Sequence, residues 1–369
     1  MMHAMLLLLS AVVSGLPVAA EHVLPAGVEV VLDLPPGPDN PRNSEGDFIA
    51  LKDGRILFVY THFTGGGGDH DAAFLAGRYS SDGGRTWTTE DTVVVPNEGG
   101  MNVMSVSLLR LKSGAVALFY LRKNAEDDCM PVMRVSTDEG ATWSEPRLCV
   151  ESPVGYYVVN NDRVVMLESG RLLIPAARHA LKGERMRAHG ALVCFLSDDD
   201  GATWRASETV LEEKDVVLQE PGVVELRDGR LMMFIRASGG VQYQSFSTDG
   251  GNTWSPVEPT TLKSPLSPAS IERIPKTGDL LLVWNNHEGV TRDRQKLRTP
   301  CTAAISKDDG KTWEQVRNIA ADPNGWYCYT AIEFAGDGVL LGQCAGDSRK
   351  NGLSRTWVLR FDVDWLNGN

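Results

Sequence analysis

The pattern Ser-x-Asp-x-Gly-x-Thr-Trp occurs five times in this chain, beginning at Ser80, Ser136, Ser197, Ser247 and Ser306. The starts lie 56, 61, 50 and 59 residues apart. Self-similarity at that period means radial or solenoid repetition, because each unit is too small to bury a core alone. Asp and Gly shape a tight turn, Ser and Thr can bond its backbone, and Trp packs beneath it as strand resumes.

Six two-residue turn signals alternate with these boxes: Asp53-Gly54, Ser113-Gly114, Ser169-Gly170, Asp228-Gly229, Thr277-Gly278 and Asp337-Gly338. Apolar runs such as Ile56-Leu57-Phe58-Val59 and Leu231-Met232-Met233-Phe234-Ile235 flank most of them, which reads as a β-hairpin. Each unit is then an inner hairpin, a loop and an outer hairpin closed by the box. The expected fold is all-β, a six-bladed β-propeller with five boxes. The last unit has no box and is one strand short, while Val28 to Leu34 is one strand too many at the front. Pairing the two would close the ring and remove an open sheet edge.

A length of 369 residues suits one such ring, assigned to residues 21–369 as a single domain. Residues 1–20 read as an export signal: Met5 to Val13 is apolar but too short to span a bilayer, and Val18-Ala19-Ala20 offers a cleavage site. A periplasmic or secreted protein follows, with no membrane span. The net charge of −12 and pI near 5.1 argue against a nucleic-acid partner. No Cys-x-x-Cys or His-Glu-x-x-His occurs, so neither a metal nor a cofactor is expected. Cys129 with Cys149, and Cys328 with Cys344, sit symmetrically about turns. Each pair reads either as a cross-strand disulfide or as two buried thiols.

Strand parity puts the hairpin turns and the boxes on one face and the inner-strand starts on the other. Nine residues before the six turn glycines stand Glu45, Ser105, Asn161, Glu220, Ala269 and Tyr329, which should ring the mouth of the central funnel. His62, Arg122, Arg178-His179, Arg236 and His287 fall at the ends of the second strands on the same face, with Arg298 before the fifth box. Asp69-His70-Asp71 follow Gly65 to Gly68 in the first-unit loop. Arginines, carboxylates and a tyrosine around one opening suit an anionic ligand. Arg122 and Arg178 also read as ordinary loop charges, the histidines as locally bonded side chains, and Asp69 as a turn cap.

With these boxes and this ring of polar residues, the chain resembles the bacterial sialidase (neuraminidase) superfamily over its mature length. Leu218-Gln219-Glu220-Pro221, Phe234-Ile235-Arg236, Arg298 and Tyr329-Thr330-Ala331-Ile332 match the family's arrangement. The family's Arg-Ile-Pro opening is absent, replaced by Ser44-Glu45-Gly46 with Arg42 two positions out. The family's acid Asp would fall, without gaps, on Phe74, and its supporting Glu has no match near Gln343.

The resemblance implies a retaining exo-α-sialidase-like glycosidase acting on an acidic glycan, a terminal sialic acid or related 2-keto acidic sugar. Arg236 and Arg298, with Arg42, would hold its carboxylate, and Glu45 and Asn161 would complete substrate binding. Tyr329 would be the nucleophile, since a neutral phenol is not repelled by that carboxylate. Glu220 would take the phenolic proton, and Asp69 or Asp71 would act as acid and base. Two alternatives stand beside it: a non-catalytic carbohydrate-binding propeller, and a propeller hydrolase or lyase for another acidic polysaccharide.

Overall fold

The computed structural model describes residues 24–289, 291 and 293–367. The expected export signal lies outside the described residues. Four sheets have four strands each. The first runs Arg42–Ala50, Ile56–Phe63, Ala73–Ser80 and Thr92–Val95. A second runs Leu218–Glu225, Leu231–Ala237, Val241–Ser247 and Glu258–Lys263, and a third Ser270–Arg273, Leu280–Trp284, Cys301–Ser306 and Glu314–Ala320. In the fourth, Gly325–Ala335, Gly338–Asp347 and Thr356–Asp362 are completed by Glu29–Leu34, antiparallel to Thr356–Asp362. The first and last strands of the described residues therefore share one sheet, as the spare front strand led us to expect.

The remaining sheet has nine strands. It is two antiparallel groups, one built on Asn102–Arg110, Val116–Ala125 and Asp128–Ser136, the other on Leu172–Leu181 and Ala191–Ser197. Gly155–Val158 joins them. It runs antiparallel to Leu172–Leu181 and touches Asp128–Ser136 in parallel through Tyr156 and Cys129.

The five boxes share their Ser, Asp, Gly and Thr bonding. Ser80 Oγ donates to Asp82 Oδ1 at 2.9 Å and accepts from the Gly84 amide at 2.9 Å, while Thr86 Oγ1 donates to Asp82 Oδ2 at 2.6 Å. Trp87 then donates its indole N–H back to the Gly84 carbonyl. Gly84 has φ +82°, a conformation that favours glycine. Asp138–Thr142, Asp199–Thr203, Asp249–Thr253 and Asp308–Thr312 repeat the carboxylate–hydroxyl bond at 2.6–2.7 Å. The Thr86 hydroxyl and amide hold the Asp82 carboxyl down at about 2.

The strand registers separate boxes from site. Ile56 pairs with both Ala50 and box residue Ser80, whereas Arg42 pairs with Phe63 at the other end. Likewise Leu231 pairs with Glu225 and Ser247, and Arg236 pairs with Gln219.

The core lies between sheets rather than at one centre. Val59, Leu75, Val103 and Leu118 pack together, as do Phe48, Phe58, Ala331 and Leu340. Full burial of each such Val, Leu or Phe side chain contributes about 1.5–3 kcal/mol. Carboxylates tie the inner strands across these seams. Asp47 accepts from the Leu108 amide at 2.6 Å, and Asp162 from the Ile332 amide at 3.0 Å.

Candidate active site

The inner strands are bent where the site begins. Register breaks fall between Ser44 and Asp47, Met104 and Ser107, Gln219 and Gly222, and Cys328 and Ala331. Inside each break one residue is left-handed: Glu45 at φ 55°, Ser105 at 60°, Glu220 at 44° and Tyr329 at 57°. A non-glycine residue there costs about 1–2 kcal/mol, and such bulges re-aim a side chain out of the pleat. The backbone behind is close-packed. A Cβ on Gly46 would sit 2.6 Å from the Phe58 ring, and one on Gly222 would sit 2.2 Å from the Phe234 ring.

Tyr329, Glu220 and Arg236 meet. Arg236 Nη1 donates to Glu220 Oε1 at 2.6 Å, and Tyr329 OH donates to the same oxygen at 3.4 Å. The second contact is longer than the 2.6–3.2 Å of a tight catalytic hydrogen bond. Burial and the Glu220 carboxylate push the Tyr329 phenol well above its ordinary pKa, so it is held neutral. Burial opposes the Arg236 charge, but Glu220 and Tyr329 outweigh it and raise the guanidinium's pKa. Arg298 lies near Tyr329 as well, its guanidinium 5.6 Å from that ring's centroid and 5.5 Å from that of Trp326. Its Nη1 donates to Ser267 Oγ at 3.0 Å. The Nε atoms of Arg236 and Arg298, and Glu220 Oε2, are buried without a partner. Buried groups in that state are the ones a ligand's carboxylate and hydroxyls would satisfy.

The first-sheet residues form a second cluster. Arg42 is fully buried, with Nη2 on Glu45 Oε1 at 2.9 Å, Nη1 on Asp69 Oδ1 at 2.5 Å, and Nε on Ser44 Oγ at 2.9 Å. Its guanidinium stands 4.4 Å from the Phe63 ring centroid. Ser105 Oγ donates to the other Glu45 oxygen at 2.5 Å. Burial raises the Glu45 carboxyl above its ordinary pKa, although Arg42 pulls it back. Burial would raise Asp69 too, but Arg42 and then Lys123 and His70 hold it below the usual range. The carboxylate supporting Arg42 thus comes from three residues along the same strand. Gln343 instead accepts from Thr330 and Cys301.

Other expected site residues have local duties. Asn161 was placed at the funnel mouth, but its Nδ2 donates to the Gly46 carbonyl at 2.8 Å and the Tyr329 carbonyl at 3.0 Å. It staples two bulged strands, and the left-handed residue of its own unit is Asp162, at φ 55°. The count slipped by one because that unit's inner strand is reduced to Val165–Met166. Asp71 Oδ2 accepts from the Gly68 amide at 2.8 Å and closes the glycine turn. Ala269 gives only its carbonyl, to Arg163. His62 pairs with Asp91, His179 with the Arg187 carbonyl, and His287 with the Leu297 carbonyl. Cys328 and Cys344 are directly opposed across strands, Cys149 bonds opposite Pro131 and so lies diagonal to Cys129, and all four are free thiols.

Sequence reasoning missed Lys123 and Asn102. Lys123 is buried, with Nζ on the Asp69 carbonyl at 2.6 Å, and Asn102 Nδ2 donates to the Asp69 and Asp71 carbonyls at 3.0 and 2.8 Å. A lysine closing the apolar strand Val116–Ala125 was the available signal. A cavity of about 300 Å³ lies elsewhere, walled by Phe234, Phe246, Leu262 and Trp313, without a Tyr–Glu pair. Among the described residues no helix is long and apolar enough to cross a membrane, and no group of three or more His, Cys, Asp or Glu is placed to hold a metal.

The family profile described as "BNR repeat-like domain" matches residues 60–341. A curated sialidase of Micromonospora viridifaciens is 26% identical over 362 residues, covering 88% of this chain and 50% of that protein. The chain thus spans about half the length of that relative. Two solved structures share the fold at a TM-score of 0.72: a protein of unknown function from Dyadobacter fermentans, and a Hadza microbial sialidase. The first is 19% identical over 91% of this chain and 100% of its own, and the second 16% over 89% and 67%. An all-β fold like that of sialidase propellers, together with a profile match across most of its length, places this chain in the sialidase/BNR-repeat superfamily.

Proposed function

We propose that the protein is an exported, retaining exo-glycosidase of the sialidase type, cleaving a terminal sialic acid or related 2-keto acidic sugar from a glycan. Residues 21–369 would form one six-bladed ring, with residues 1–20 as its export signal. Contacts between Arg42–Ala50 and both Asn102–Arg110 and Gly325–Ala335, and between Ser270–Arg273 and its neighbours on either side, suit a cyclic order of inner strands.

The observation that carries the chemistry is Tyr329 OH at 3.4 Å from Glu220 Oε1, with Arg236 on that same oxygen and the Arg298 guanidinium 5.6 Å from the tyrosine ring. Arg236 and Arg298 bind the sugar carboxylate in charge-assisted pairs. Glu220 draws the phenolic proton as Tyr329 O bonds to the anomeric carbon and the glycosidic C–O bond breaks. Asp69, exposed at the rim, gives a proton to the leaving oxygen. Its carboxylate then takes one from the water that cleaves the tyrosyl–sugar bond, and the phenol regains its own. Glu45 holds Arg42, and Asn161 fixes the Tyr329 backbone, so both act by positioning.

The test is a panel of aryl glycosides that includes the α-sialoside. Wild type should turn over the sialoside or another acidic glycoside, and Tyr329→Phe should lose nearly all of it while keeping its melting temperature. Equal turnover by the variant would refute the tyrosine mechanism. The Arg42–Asp69 ion pair favours one rival, a carbohydrate-binding propeller without an acid, which would bind acidic sugars and hydrolyse none.

A further inference from the structure

Arg42 and Asp69 are unequal partners. The Arg42 side chain is 1% exposed and the Asp69 side chain 58% exposed, and the two meet at 2.5 Å. On its other sides the guanidinium is enclosed by Glu45, Ser44, the Gly67 carbonyl and the Phe63 ring. Asp69 is therefore the removable lid on the cation. Its backbone is pinned independently of its carboxylate, through the Lys123 and Asn102 bonds to its carbonyl. The carboxylate can rotate away while the loop stays in place.

The geometry points to a partner exchange, resting on the acidic-sugar reading above: the carboxylate of the incoming sugar takes the place of Asp69 on Arg42 Nη1, and the released Asp69 side chain swings to the leaving oxygen. Arg42 then becomes the third arm beside Arg236 and Arg298. The exchange also arms the acid. Paired with Arg42, Asp69 is held ionised and has no proton to give. Turned away from Arg42, it loses the cation that lowers its pKa most, and the sugar carboxylate now on Arg42 favours its protonated form. It takes a proton from solvent and passes it to the glycosidic oxygen as the C–O bond breaks. A neutral sugar cannot displace Asp69, so the acid stays ionised and the glycoside intact. Selection for an acidic substrate would thus operate through protonation of the catalyst as well as through binding.

The exchange makes Asp69 a competitor of the ligand. Calorimetric titration with a 2,3-unsaturated sialic acid, and with its methyl ester, separates the possibilities in wild type, Asp69→Asn, Asp69→Ala and Arg298→Ala. With one partner open to solvent and screened by it, an ion pair of this kind is worth about fivefold in affinity. Both Asp69 variants should bind the acid up to about fivefold more tightly than wild type and bind the ester no better. Arg298→Ala should bind the acid more weakly. If the Asp69 variants bind the acid equally or more weakly while Arg298→Ala still weakens it, the exchange is overturned and the acidic-sugar reading stands. If neither acid nor ester binds wild type, both are overturned.

Discussion

Removing the Glu45 carboxylate should destabilise the protein more than removing its charge alone. Glu45 is 5% exposed and accepts from Arg42 Nη2 at 2.9 Å and from Ser105 Oγ at 2.5 Å. Breaking a buried ion pair by deleting one member costs about 3–5 kcal/mol, mostly because the other charge is left uncompensated. Arg42 keeps Asp69, Ser44 and the Gly67 carbonyl, which places the loss near about 3 kcal/mol. Ser105 also loses its acceptor, adding about 1 kcal/mol. Glu45→Ala should therefore cost about 4 kcal/mol. Glu45→Gln keeps the volume, the left-handed Cβ and one acceptor, and should cost about 1–2 kcal/mol. Urea unfolding followed by tryptophan fluorescence, with unchanged m-values, measures both. An alanine variant within about 1 kcal/mol of wild type, or a glutamine variant as costly as alanine, would refute the view that Glu45 is the essential buried support of Arg42.

Protons should stabilise the inner strands. Burial pushes Asp162 up to about 6 and Glu333 to about 7, and raises Asp47 and Glu272 as well. The folded state thus holds protons that the unfolded chain releases. The stabilisation is complete below the ordinary carboxylate range and is lost as pH climbs to about 7. Thermal melts should give a higher Tm at pH 5 than at pH 7.5, and Glu333→Gln should flatten that slope; a Tm that rises with pH contradicts this. Asn161→Ala leaves the Gly46 and Tyr329 carbonyls without a donor and should cost about 2–3 kcal/mol, with kcat falling more than KM rises, whereas a neutral melt would show the staple to be unimportant. Gly222→Ala should unfold or strongly destabilise the protein, because its Cβ would lie 2.2 Å from Phe234, and an unaffected urea midpoint would show that the ring can yield.

The repeat was legible because each box is a local structure: Ser, Asp, Gly and Thr bond one another within seven residues, whatever surrounds them. The nearness of Glu220, Arg236, Arg298 and Tyr329 was legible because repeat arithmetic puts Glu220 and Tyr329 at inner-strand starts, Arg236 at a second-strand end and Arg298 just before a third strand, all on one face. What stayed hidden was non-local. Nothing in Arg42 alone says that it bonds both Glu45, three residues along, and Asp69, 27 residues along. Lys123 reaches Asp69 from another sheet, and in the unit with the short strand Val165–Met166 the left-handed residue is Asp162 rather than Asn161. The strand Gly155–Val158 was missed too. It follows a box rather than a two-residue turn, and it links two groups that the repeat treats as separate.

Trapping of the glycosyl-enzyme tests the central claim most directly. A fluorinated 2-keto sugar acid carrying a good leaving group slows breakdown of a covalent intermediate, and peptide mass spectrometry then locates the sugar. The account predicts one sugar on the peptide containing Tyr329 in wild type and none in Tyr329→Phe. A sugar found on Glu45, Asp69 or Glu220, or turnover of the reagent with no adduct and with inversion at the anomeric carbon, would contradict it.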